Sequence, residues 1–112
     1  VAVMLEGQPQ MEVGCHTDVM DSCPKSVAIP MLLRSANPQI IAVDEITQAR
    51  DLAAMEEAAY CGVRFLATLH ADSADDLHRR PLLQKLQKMH LFEKAITIHM
   101  ADTLRRYTIR DL

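Results

Sequence analysis

An α/β architecture, a mostly parallel sheet with flanking helices, is what three features of this 112-residue sequence predict. Ile40-Ile41-Ala42-Val43 is an unbroken apolar run rich in β-branched residues, the pattern of a strand buried on both faces. A helical pattern over residues 48–61 follows, with Leu52, Met55 and Ala59 on its inner face and Gly62 placed as its C-terminal cap. A second apolar run over residues 63–69 then closes on His70. Strand, helix and strand within about 30 residues is a βαβ unit, whose two strands lie parallel in one sheet.

The other elements are weaker signals around that unit. Residues 1–25 are broken by Gly7, Pro9, Gly14 and Pro24 and read as loops around short extended pieces. Residues 26–36 turn helical, with Val27, Met31, Leu32 and Ser35 on one side. Pro30 is awkward there, because a proline beyond the first turn removes a backbone bond and costs about 3 kcal/mol. Asn37-Pro38 stops that helix. Ser73, with Asp76 three residues on, resembles a capping box that opens a short helix. Pro81 suits the first position of another, reaching Met89 with Leu82, Leu83, Leu86 and Met89 inward. Ile96, Ile98 and Met100 alternate with Thr97 and His99, which is strand periodicity. Ala101-Asp102-Thr103 turns the chain into a last strand over residues 104–109.

Composition narrows the function classes. With 49% apolar and 24% charged residues the chain is globular rather than disordered. Twelve basic against 15 acidic side chains leave a net charge of −3, which offers no bulk attraction to nucleic acid or to an anionic membrane. No apolar run approaches the roughly 20 residues of a membrane span. The opening Val1-Ala2-Val3-Met4 has neither initiator Met nor basic flank, so it reads as a cut from a longer chain rather than a signal peptide. Cys15, Cys23 and Cys61 are an odd set without a Cys-x-x-Cys pair, which points to a reducing cytosol. Cys15, His16, Asp18, Asp21 and Cys23 crowd together but match no zinc spacing, and read as ordinary loop residues.

Chemistry concentrates at two strand ends. Four hydrophobic residues followed by Asp44-Glu45 form the Walker B pattern of P-loop ATPases. In that pattern the Asp holds the shell of a Mg²⁺ ion and the Glu orients the attacking water. The plain alternative is a strand that ends in two solvated acids. The neighbouring run ends in Thr68-Leu69-His70, which puts a hydroxyl and an imidazole at the same sheet edge, where a polar group can sense a γ-phosphate. Two adjacent polar strand ends favour the functional reading over the plain one.

Further strings carry a family resemblance. Thr17-Asp18-Val19-Met20-Asp21-Ser22-Cys23-Pro24-Lys25, Met31-Leu32-Leu33-Arg34-Ser35-Ala36-Asn37-Pro38, Val43-Asp44-Glu45-Ile46 and Arg80-Pro81 occur in order, with Gly7-Gln8-Pro9-Gln10 and Val13-Gly14 upstream. Together they resemble the stage III sporulation protein AA family over residues 7–92, the Cys-Pro-Lys segment being far more specific than a Walker B pattern. The resemblance implies a P-loop (RecA-like) ATPase related to the type II and type IV secretion ATPases, acting in endospore formation at the complex that joins mother cell and forespore. It implies ATP and Mg²⁺ as cofactors, with Asp44 holding Mg²⁺ through water, Glu45 as the catalytic carboxylate, and Thr68 and His70 as their partners at the next strand end. Arg34 would reach a phosphate of its own or a neighbouring subunit; a solvated arginine at a helix end is the alternative.

It further implies a homo-oligomer, a hexameric ring for the full-length chain, other sporulation proteins as partners at the membrane, and a cytoplasmic place peripheral to the mother-cell membrane. No nucleic-acid partner is expected. Two rival readings are a secretion or pilus ATPase, for which Ala67-Thr68-Leu69-His70-Ala71 speaks, and a non-catalytic assembly module with the same fold. The sequence departs from the family pattern at Thr47, where a Gly is usual, at His16, where an Arg is usual, and at Pro30. No Gly-x-x-x-x-Gly-Lys-Ser/Thr occurs in the 112 residues. Residues 1–112 therefore read as the C-terminal part of an ATPase domain, expected to bind ATP weakly or not at all when alone.

Overall fold

A computed structural model describes residues 4–71 and 76–112. In chain order the elements are β1 (Met4–Leu5), β2 (Gln8–Pro9), α1 (Lys25–Ser35), β3 (Ile40–Val43), α2 (Ala49–Tyr60), β4 (Arg64–Ala67), α3 (Asp76–Arg79), α4 (Pro81–Lys88), β5 (Lys94–Ala101) and β6 (Leu104–Asp111). The proposed capping residue Ser73 lies outside the described residues.

The βαβ unit is present. β3 and β4 pair in parallel, Ile41 opposite Phe65 and Val43 opposite Ala67, and α2 crosses between them. The helix ends as its glycine predicts. Gly62 sits at φ +89°, its N–H donates to Ala59 O at 2.9 Å, and Val63 N–H donates to Ala58 O at 3.2 Å. That double closure is a Schellman motif, which needs a left-handed residue and satisfies two carbonyls the helix leaves open. Leu52, Met55 and Ala58 are fully buried, with Ala58 taking the place expected of Ala59.

The other two ladders are antiparallel. β1 and β2 form a two-rung hairpin through Glu6 and Gly7, both at positive φ, the turn such tight hairpins favour. β5 and β6 pair over eight rungs, from Lys94 opposite Asp111 to Ala101 opposite Leu104. Among the described residues the mostly parallel sheet is thus seen as one parallel pair among three separate two-stranded ladders.

The core lies on one side of β3–β4. Ile29 of α1, Ile41 and Val43 of β3, Ile46, the inner face of α2, Val63 and Leu86 of α4 form one cluster, with Leu33, Phe65 and Leu82 packed against it. Each fully buried aliphatic side chain of this kind contributes about 1.5–3 kcal/mol. Two expectations are corrected here. β3 is not buried on both faces: its residues alternate, and Ile40 and Leu66 on the far face are 63% and 60% exposed, because α1 and α2 cover one side only. The inner face of α1 is also not the one with Val27 and Met31, which are exposed; Ile29 and Leu33, four residues apart, face the core instead. The helix runs through Pro30, which leaves the Ser26 carbonyl without its usual donor. Asn37, in the left-handed region just after the C-cap, closes it before Pro38, as expected. α4 starts on Pro81 and buries Leu83 and Leu86, also as expected. No helix among the described residues is long and apolar enough to cross a membrane.

Candidate functional site

The carboxyl ends of β3 and β4 come together, and with them four of the five residues singled out from the sequence. Thr68 N–H donates to Val43 O at 3.3 Å, continuing the parallel ladder one step beyond β4. The next bond back comes from Ile46 N–H to Thr68 O, at 3.1 Å. A regular parallel ladder would take it from residue 45, so the chain carries one extra residue at this point, a bulge. Val43 and Ile46 on either side are buried, at 6% and 4% exposure, while Asp44 and Glu45 between them are exposed. Two buried aliphatic side chains thus clamp a two-residue protrusion that holds both carboxylates out at the sheet edge.

Asp44 is held by a residue the sequence reading did not single out for the site. Lys25 Nζ lies 2.7 Å from Asp44 Oδ1. The hydrogen bond from this ammonium holds the Asp44 carboxyl below its ordinary value, and slight burial opposes the shift. Lys25 opens α1, and it ends the Cys-Pro-Lys segment, so the segment that carried the resemblance was also the signal that could have found it. Arg80 is a second such residue. Its Nη1 donates to the His70 carbonyl at 3.2 Å, and its Nη2 lies 3.3 Å from Asp76 Oδ2 one helical turn earlier. The chain that follows β4 is thereby fastened to the start of α4. Thr68 and His70 are both exposed.

Arg34 is not brought to this edge. Its Nε donates to Pro30 O at 3.2 Å, and the residue lines a groove with Asn37, Gln39, Glu57, Gly62 and Arg64. That groove lies at the amino ends of β3 and β4, a strand length of roughly 13 Å from Asp44. Thr47, where the family pattern has Gly, lies at negative φ, so no glycine is needed at this turn.

Asp44 suits a hydrated Mg²⁺ ion, since such ions keep most of their waters and take one or two carboxylates. The donor set is incomplete for a whole nucleotide site, because the phosphate-cradling loop and its lysine are absent from these residues. Among the described residues no group of three or more His, Cys, Asp or Glu side chains converges as a metal cage. Cys15, Cys23 and Cys61 are free thiols.

No solved structure matches the chain. Stage III sporulation protein AA of Bacillus subtilis (strain 168) is 36% identical over 101 residues, which cover 90% of this chain and 33% of that relative. The chain thus spans about a third of the length of the curated relative it matches. The model of the family described as sporulation stage III, protein AA matches residues 2–108, and the chain belongs to that family.

Proposed function

We propose that this chain carries the acidic half of an ATP-hydrolysing site and serves in sporulation. Family membership supports the sporulation role. The single observation that carries the hydrolytic reading is the bulge: Asp44 and Glu45 stand out between buried Val43 and Ile46, with Thr68 bonded across to the same turn. Open parallel sheets bind ligands beyond the carboxyl ends of their strands, and the clamp presents both acids there, Asp44 with Lys25 as its present counter-charge.

In this reading Asp44 would hold a Mg²⁺ ion through its water shell, and Glu45 would accept a hydrogen bond from the attacking water and take its proton. Thr68 and His70, exposed beyond β4 at the same edge, would be the polar groups available to sense a phosphate there. Mg²⁺, when bound, would spread the negative charge that builds on the phosphate oxygens. The chain supplies no cradle for the β- and γ-phosphates, so ATP binding by these 112 residues alone is expected to be weak or nil. Arg34 lies at the far end of the strands, so in this reading it meets no phosphate at this edge of its own chain. It is either a solvated helix-end arginine bonded to Pro30 O or one that reaches a neighbouring subunit in a ring such as a hexamer. Work beside other sporulation proteins at the mother-cell side of a membrane completes the proposal.

The test is Mg²⁺-dependent ATP hydrolysis by the family protein with its P-loop joined to this chain, beside Glu45→Gln. Turnover that drops at least a hundredfold in the variant, with ATP still bound, is the expected result. A folded protein that neither binds nor hydrolyses ATP would replace this reading with the non-catalytic assembly module.

A further inference from the structure

Lys25 brings a full positive charge to the carboxylate on which a metal would depend. Its position is not explained by its own helix. It is the first residue of α1, where the amide groups make a positive charge unfavourable, and no acidic residue stands in that first turn. What holds it is Asp44, at 2.7 Å, with the lysine side chain 26% and the aspartate side chain 62% exposed. The ammonium therefore sits against an open carboxylate at one oxygen. An ammonium on a four-carbon stem leaves such a site by bond rotation alone, with no backbone movement. A divalent cation drawn to the same carboxylate meets a like charge on Oδ1, so the two compete.

We propose that Lys25 is a positioning residue, a tethered ammonium that holds the Asp44 carboxylate while no divalent cation is present and must be displaced for one to bind. The proposal rests on the reading of Asp44 as the metal-side carboxylate. It makes metal binding at this edge weaker than the two acids by themselves would give, which keeps the edge from collecting free divalent cations before a nucleotide brings one. A displaced Lys25 then has three free donors beside the same edge, suited to phosphate oxygens.

The test uses the 112-residue chain, labelled with ¹⁵N, with Mn²⁺ alone as the probe and amide line broadening as the readout. In the unaltered chain the amides of residues 44–46, 68 and 70 are expected to broaden before those around Asp18 and Asp21. Lys25→Met keeps the stem and removes the charge, and should lower the Mn²⁺ concentration for half-broadening roughly two- to fivefold. Lys25→Arg, which restores the charge, should return it towards the original value. A half-point in Lys25→Met that is unchanged or higher overturns the proposal, and so does a Lys25→Arg that behaves like Lys25→Met. Asp44→Asn separates the two readings. Broadening that vanishes in Asp44→Asn but ignores Lys25→Met removes only the role of Lys25. Broadening that persists in Asp44→Asn, or that never reaches this edge, removes the metal reading and the Lys25 proposal with it.

Discussion

The parallel pair β3–β4 and the hairpin β5–β6 are built from similar residues and end in opposite situations. β3 buries Ile41 and Val43 beneath α1 and α2. β5 alternates just as cleanly, yet Ile96, Ile98 and Met100 are 60%, 62% and 63% exposed, and Tyr107 and Ile109 of β6 stand opposite Ile98 and Ile96 on the same open face. The core cluster takes no residue from β5 or β6. Alternation makes a strand; a helix laid against one face makes a core. The hairpin is held instead by its ladder, by the Lys94–Asp111 pair at 2.6 Å and by a bond from Leu112 N–H to Glu93 O at its open end.

The sharpest way to break this contrast is to cut one side chain from each region. Leu52→Ala empties a fully buried position and should cost about 2–5 kcal/mol in urea unfolding. Ile98→Ala, at a largely exposed site, should cost no more than about 0.5 kcal/mol in the same assay. Equal losses would mean that the hairpin face is covered in solution.

A smaller effect tests the join between α2 and β4. A Cβ added at Gly62 meets no atom within 4 Å, so Gly62→Ala carries no clash and only the penalty of its left-handed backbone, about 1–2 kcal/mol. Gly62→Asn should cost less, since Asn tolerates that region, and thermal unfolding of the two variants would show the order. A reversed order would place the cost in packing rather than in backbone conformation.

The smallest effect lies at the acidic edge. Lys25 depresses the Asp44 carboxyl, so the pair's contribution is present above the ordinary carboxylate range and is lost as pH falls through the lowered value. Both groups are partly exposed, which holds the contribution below about 1 kcal/mol. Unfolding free energy followed from pH 6 down to pH 3 should therefore fall slightly less in Lys25→Met than in the unaltered chain. An identical acid slope in the two proteins would show that the pair adds nothing to stability.

The βαβ unit was legible because its signals are local. A β-branched run, a 3.6-residue pattern and a glycine at a helix end each act within a few residues, and each has one good backbone solution. The acids at the end of β3 and Thr68 and His70 beyond β4 were legible for the same reason, since parallel strands put like ends together. The buried face of α1 was not legible. Periodicity points to the face of Val27, Met31 and Leu32, but Ile29 and Leu33 offer a second apolar face, and packing against the core selects that one. The bulge at Asp44-Glu45 was hidden as well, because it depends on which amide reaches the Thr68 carbonyl.

The strand–helix–strand order, the cap at Gly62, the polar strand ends and the family follow from local residue patterns along the chain. Tertiary structure alone decided that Lys25 reaches Asp44, that Arg80 fastens the backbone at His70, that Arg34 faces the opposite end of the strands and that the hairpin keeps its apolar face open. The division has one physical cause. Backbone preferences act over one or two turns of chain, whereas a charge finds its partner, and an apolar face its cover, only after distant segments have been packed into place.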